Sequence, residues 1–198
     1  MNGFIDRSKG IGVCVSWLYL SLYVPIALMT YFPAWYHWNC HWHERCDEIG
    51  SAKATGGIND LTAFFRYAGN LRSFTTEKEK LHLGEVRSIF GVLLPVAVAA
   101  VLLLFLAANR RNLARGALIS LLIVTIAWLI VPFFIPFWRD IFHPLLFDNE
   151  LWRIDRADLS YYIMPTSFFR RTVIAVIALS SLVNGYTWLW LRRKRPEM

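Results

Sequence analysis

The sequence predicts an all-α integral membrane protein, with four transmembrane helices and two long outer loops that carry interfacial helical segments. Three observations point there. Of the 198 residues, 56% are apolar and only 18% charged, far from the balance of a water-soluble domain. Four apolar runs each approach the roughly 20 residues that a helix needs to cross a bilayer. The excess positive charge is confined to one side of those runs. A chain of this length fits one compact transmembrane domain better than two soluble ones, so residues 1–198 are read as a single domain.

The first run, Ile11 to Phe32, follows Arg7 and Lys9, as a secretory signal would. It is longer than a signal's apolar core and lacks a small-residue cleavage site, so it reads as a retained helix. The others are Ile89 to Ala108, Ala117 to Trp138 and Val173 to Leu191, leaving outer loops at 33–88 and 139–172. Nine bases and two acids, Asp6 and Glu197, lie before the first run, in the NRRNLARG turn from Asn109 to Gly116, and after the last run. They account for the whole net charge of +7, because the two long connections hold equal numbers of bases and acids. The positive-inside bias then puts both termini and the short turn in the cytoplasm and both long loops outside. Basic residues distributed this way report topology, so no nucleic-acid partner is expected.

The first outer loop opens with HWNCHWHERC, in which His37, Cys40, His41, His43 and Cys46 crowd together. Such ligands suit zinc or copper, but their spacing matches no standard zinc module. In an oxidising exterior a Cys40–Cys46 disulfide is the expected state, with a metal site and free thiols left open beside it. No metal or cofactor is expected. The turn Gly50 to Gly57, GSAKATGG, reads as a flexible break. Leu61 to Phe74 then spaces Leu61, Phe64, Phe65, Leu71 and Phe74 in a roughly helical pattern. Its apolar face fits a membrane surface or a protein partner equally well.

Thr76 and Glu79 fit a capping box, so a helix should start near Glu77 and run on into the second span. His82 lies seven residues before Ile89, about 10 Å from that boundary at helical rise, which is headgroup depth. Glu79 and Glu85 are each three residues away and can neighbour the imidazole on one face, orienting it and favouring one tautomer. Alone, His82 reads better as a solvated surface histidine than as a catalytic one, and a second catalytic group is needed.

The second outer loop supplies a candidate, His143, which on local features reads equally well as a histidine that only hydrogen-bonds a backbone carbonyl. FHPLLFDNELWRID, from Phe142 to Asp155, mixes a histidine, an amide, acids and large apolar side chains as neither a water-facing loop nor a spanning helix would. His143 directly precedes Pro144, which should end the helix there. Asn149 is a neutral donor and acceptor, and Trp152 suits headgroup level. Tyr161, Tyr162, Met164, Pro165, Phe168 and Phe169 lead back into the membrane.

The run EKLHLGEVR from Glu79 to Arg87, with Ser73, Phe74 and Thr75 before it and Ile89 and Phe90 after, resembles an outer-loop signature of the bacterial lipoprotein intramolecular transacylase family. FHPLLFDNELWRID followed by MPTSFF, Met164 to Phe169, resembles that family's second signature. Both lie within Ser73 to Phe169, about half of the chain. The resemblance implies four transmembrane helices in the bacterial cytoplasmic membrane. It also implies an enzyme whose substrate is a diacylated lipoprotein among membrane lipids. The acyl chain at the sn-2 position of the diacylglyceryl-cysteine would move to that cysteine's α-amine, giving an N-acyl lyso-lipoprotein. The family's two important histidines would correspond to His82 and His143. Glu85 and Glu150 stand where aspartate is expected, and Thr166 where an acid is expected.

The residues suit that reaction independently. An α-amine of pKa roughly 8 needs only modest help from a base to attack an ester. His82, held by Glu79 or Glu85, is the candidate base. His143 or Asn149 is placed to stabilise an oxyanion, and His143 to protonate the departing glyceryl oxygen. Glu150, Trp152 and Asp155 complete the supporting set. No Ser or Cys nucleophile motif is present, and none is required when nucleophile and ester belong to one molecule. Two other readings fit the same topology: an acyltransferase or hydrolase drawing on free phospholipid, and a non-enzymatic, metal-sensing membrane protein built on the Cys/His loop.

Overall fold

In the computed structural model, which describes residues 2–193 and the side chains of Ser8 to Arg193, every regular element is helical. Lys194, Arg195 and Glu197, which enter the charge balance, lie outside the described residues, as do the side chains of Asp6 and Arg7. Helix α1 (Asn2–Tyr31) is followed by α2 (Pro33–Cys40), α3 (Arg45–Glu48) and α4 (Ser51–Phe65). Helices α5 (Glu77–Ala107) and α6 (Arg110–Ala127) come next, then the short α7 (Phe134–Phe137), α8 (His143–Leu146) and α9 (Leu159–Ile163), and finally α10 (Thr166–Arg193). Four segments are long and apolar enough to cross a bilayer: Ser8–Tyr31, Glu77–Ala107, Arg110–Leu146 and Thr166–Arg193. Each contains nearly all of one predicted run.

One compact unit is built from Met1–Ile26, Val92–Leu129 and Ile174–Met198. Many of its apolar side chains point outward, with Leu106 81% and Leu182 69% exposed, an arrangement that is stable when lipid covers them. The interior is joined by polar contacts. Trp17 Nε1–H donates to Asn184 Oδ1 at 2.7 Å, Asn184 Nδ2 to the Ser180 carbonyl at 2.8 Å, and the Ser180 hydroxyl to the Ser21 carbonyl. Such bonds average only about 0.6 kcal/mol each in membranes, so close packing must supply the rest. At Gly116 a Cβ would come within 3.2 Å of the Cys14 backbone, so a larger residue would push α1 and α6 apart by a few tenths of an ångström. Cys14 is a packing residue here. The turn predicted over Asn109 to Gly116 is shorter than expected: only Ala108 and Asn109 leave the helical state. Asn109 caps α6 by accepting from the Asn112 N–H at 2.9 Å, and this lets the arginines after it join the helix.

The other unit, Ala27–Gly91 with Ile130–Val173, has a protein core that includes Tyr36, Ile58, Leu61, Phe65, Phe74 and Ile163. That decides the partner of the amphipathic Leu61–Phe74 segment. Its apolar side chains pack on α9 and neighbouring protein, and the segment is two pieces, because α4 ends at Phe65 and Tyr67 turns the chain with φ of +58°. The predicted break at Gly50–Gly57 also contracts. Only Gly50, at φ +82°, breaks the backbone; Ser51 to Gly57 form the first turns of α4. Gly57 packs closely on α9, since a Cβ there would meet Leu159 Cδ2 at 2.6 Å and that side chain would have to move.

The third crossing segment is the irregular one. After α6 the backbone tightens into a 3-10 stretch at Trp128–Phe133, returns to α7, widens into a π stretch at Trp138–Phe142 and closes with α8. Pro132, Pro136 and Pro144 each remove a backbone donor, which disrupts a regular ladder. Pro144 does not end the helix at His143 as expected. His143 keeps helical angles, φ −67° and ψ −48°. Pro144 falls in the first turn of α8, where a missing N–H costs nothing, and the helix ends at extended Phe147 instead.

Candidate active site

Both histidines of interest fall in this second unit. His82 and Glu85 are one turn apart on α5, and Glu85 Oε2 lies 3.4 Å from His82 Nδ1. That is long for a charge-assisted bond, yet it points the Nδ1–H at the carboxylate and leaves Nε2 as the open nitrogen. Glu85 is held from its other side: Asn149 Nδ2 donates to Oε1 at 2.7 Å. The Asn149 side-chain oxygen accepts from the Leu151 N–H at 3.0 Å, so the surrounding network assigns the amide orientation.

His143 is 5% exposed, and its environment follows from the π stretch. The wide turn sends the His143 backbone N–H to the Trp138 carbonyl. The same carbonyl accepts from His143 Nδ1 at 2.6 Å. A carbonyl can only accept, so Nδ1 carries the proton and Nε2 is again the open nitrogen. Widened helical turns of this kind recur at functional sites. The indole of Trp152 stacks on the imidazole at 4.4 Å, and Trp138 meets it edge-on at 4.8 Å. Trp152 Nε1–H is anchored on the Asn149 carbonyl at 3.0 Å. Asn149 therefore fixes both the partner of one histidine and the stacking platform of the other.

The two imidazole centroids are 6.3 Å apart, with Phe147 meeting the His82 ring edge-on at 4.8 Å. The structure thus gathers His82, Glu85, His143, Asn149 and Trp152. It does not bring in the remaining three expected residues. Glu79, 3% exposed, turns away from His82 and accepts from the backbone N–H groups of Ser160 at 2.5 Å and Leu159 at 3.3 Å. Those are orphan donors at the start of α9, and satisfying them outweighs a neighbouring histidine. The capping box is correspondingly half-formed: Thr76 Oγ1 accepts from the Glu79 N–H at 3.4 Å and itself donates to Asp158 Oδ1 at 2.5 Å. Glu150 is exposed and pairs with Arg153 at 2.8 Å. Asp155 pairs with Lys78 at 2.7 Å, and this bond holds its carboxyl below the ordinary range.

Sequence reasoning missed Trp138, Phe147, Lys78 and Asp158. Lys78 also reaches buried Asp158 at 2.9 Å, and Asp158 accepts from the Asp155 N–H at 2.9 Å. Together with Glu79 these residues clip the second long connection, residues 139–172, to the start of α5. An acid three residues after Asp155 was the available signal for a turn, but nothing in sequence marks the carbonyl of Trp138. In the first long connection, residues 33–88, Cys40 and Cys46 form a disulfide with Cα atoms 5.6 Å apart, and a metal site on these two sulfurs does not coexist with that bond.

A family model described as lipoprotein intramolecular transacylase Lit matches residues 11–169. Among solved structures, the membrane integral lipoprotein intramolecular transacylase Lit from Bacillus cereus is similar, with a TM-score of 0.84 at 18% identity over 97% of this chain and 98% of that one. A form of that protein with one histidine changed to alanine aligns with a TM-score of 0.80 at 17% identity, covering 97% of this chain and 94% of the other. No curated protein sequence matches.

Proposed function

The chain belongs to the lipoprotein intramolecular transacylase family and is an acyltransferase, and from that premise we propose which atoms move and which side chains move them. The acyl chain at the sn-2 position of a diacylglyceryl-cysteine is transferred to the α-amine of the same cysteine. The neutral amine attacks the ester carbonyl, a C–N bond forms, the C–O bond to glycerol breaks, and one proton passes from nitrogen to the glyceryl oxygen. The products are an amide and a free hydroxyl on one molecule, an N-acyl lyso-lipoprotein.

His82 takes the amine proton at Nε2, with Glu85 stabilising the imidazolium through Nδ1–H and Asn149 holding Glu85. That proton then passes from His82 to the open Nε2 of His143, whose ring centroid is 6.3 Å away, and from there to the departing oxygen. One amide N–H of Asn149 is committed to Glu85, which leaves only its second N–H for the oxyanion role expected of it. The observation that carries this assignment is that each imidazole has Nδ1 committed to an acceptor and Nε2 open. The aromatic walls formed by Phe147 and Trp152 exclude water, which would otherwise compete with the amine for the ester. Positioning supplies much of the rate, since nucleophile and ester are already tethered.

The lipoprotein and the surrounding lipids are the partners. The charge asymmetry supports a bacterial cytoplasmic membrane location with both termini inside and the histidine pair at the outer face. Mass spectrometry of the N-terminal peptide of a diacylated reporter lipoprotein, with and without this protein, tests the reaction. The expected product has unchanged mass and a blocked amine. A lighter product would identify a hydrolase, and a heavier one an acyltransferase fed by phospholipid; either contradicts the proposal.

A further inference from the structure

The first outer loop holds a cluster that transacylation does not use. His37, Cys40, His41, His43 and Cys46 line one cavity of about 620 Å³. The sulfurs of Cys40 and Cys46 and a ring nitrogen of His43 all lie within 4.8 Å of one another. Both ring nitrogens of His43 are buried, and neither has a hydrogen-bond partner among the described residues. Buried imidazoles are ordinarily hydrogen-bonded, so an orphaned one beside two sulfurs calls for a ligand. The neighbouring cations are occupied elsewhere: Arg45 donates to the Tyr161 carbonyl, and Arg171 to the Trp42 carbonyl and Asn39.

We propose that this cluster is a redox-gated metal site in which reduction of the Cys40–Cys46 disulfide creates a binding site for one thiophilic d10 ion, zinc(II) or copper(I). A dithiol reductant supplies two electrons and two protons, becoming a disulfide itself. The two resulting thiols lose their protons as the ion binds, and His43 donates a lone pair from one ring nitrogen. Metal–sulfur bonds of about 2.3 Å and metal–nitrogen bonds of about 2.0–2.1 Å set ligand atoms roughly 3.3–3.8 Å apart around a tetrahedral ion, so the two sulfurs, bonded to each other in the disulfide, must part once reduced, while the His43 nitrogen already lies within 4.8 Å of both. His41 and His37 line the same cavity and offer the fourth donor. While the disulfide stands, both thiolates are unavailable and the set is reduced to imidazoles.

The site acts independently of the histidine pair, so its test is separate from that of the transacylase reading. The purified full chain is kept oxidised or reduced with a phosphine, then titrated with zinc(II) and with copper(I) against a chromophoric chelator. The reduced protein binds one equivalent of ion at least 100-fold tighter than the oxidised protein. Cys40→Ser, Cys46→Ser and His43→Gln each weaken binding in the reduced state at least tenfold. Cobalt(II) added to the reduced wild-type protein gives a thiolate-to-cobalt charge-transfer band, a readout that needs no variant. Equal affinity in both redox states would overturn the proposal, as would a reduced protein with neither bound ion nor charge-transfer band, or an unchanged affinity in His43→Gln.

Discussion

Two histidine clusters lie in the same unit of this protein and are built on opposite principles. In the pair at His82 and His143, each imidazole has one nitrogen tied to a fixed acceptor, Glu85 or the Trp138 carbonyl. In the Cys/His loop, His43 has neither nitrogen tied. A tied imidazole has a defined tautomer and one predictable open atom, which suits directed proton transfer. An untied one gains most from a ligand. Histidine content therefore does not distinguish the two sites; what each ring nitrogen touches does.

The largest expected effect sharpens that contrast. His82→Ala and His143→Ala should each lower conversion of a diacylated reporter by about 10²–10⁴-fold while the protein still inserts in the membrane. His43→Ala should leave conversion near the wild-type level. Reporter turnover, normalised to membrane-inserted protein, measures all three. If His43→Ala proved as damaging as the other two, the division between clusters would fail.

Next come the tethers. Glu85→Gln keeps the shape but weakens the hold on the His82 Nδ1–H, and Asn149→Ala releases both Glu85 and the Trp152 indole. Each should slow turnover by roughly tenfold to a hundredfold, the scale seen when an outer partner of a functional histidine is removed. Glu79→Ala is expected to act differently. It strips the acceptor from two buried backbone N–H groups, at about 1–3 kcal/mol. The result should be a lower melting temperature, with turnover at low temperature largely preserved. Thermal unfolding monitored beside turnover separates a positioning loss from a stability loss.

The smallest effect on turnover belongs to the disulfide. Cys40→Ser with Cys46→Ser opens a loop of sequence separation 6, which on loop-closure entropy costs about 2 kcal/mol of stability. Turnover should stay within about twofold of wild type, because a bond outside the catalytic pair alters no transition-state contact. A collapse of activity in a folded, inserted double variant would join the two clusters into one functional unit.

Composition and charge carried the fold well. Four apolar runs and the basic segments located every crossing helix, since lipid imposes a strict length and leaves no other regular structure for a single chain segment. The capping residue Thr76 announced the start of α5. The failures share one cause, which is that tertiary contacts decided between local options. Gly57 reads as flexible in sequence but sits in α4, with Leu159 packed where its side chain would be. Pro144 reads as a helix terminator, but a π stretch places it where its missing N–H is harmless. In the candidate site, the sequence named His82, Glu85, His143, Asn149 and Trp152, and the fold brings these five together. Glu79 was misassigned because its true partners, the Leu159 and Ser160 N–H groups, are 80 and 81 residues away. The Trp138 carbonyl was invisible because backbone atoms carry no sequence signature.

The most direct measurement follows a single acyl chain. A reporter lipoprotein carrying an isotopic label only in its sn-2 acyl group is incubated with the protein in vesicles of excess unlabelled phospholipid, and the N-terminal peptide is sequenced by mass. The account predicts that the label appears quantitatively in the amide on the cysteine nitrogen of the same molecule. An unlabelled amide, with the label lost to phospholipid or to free fatty acid, would contradict it.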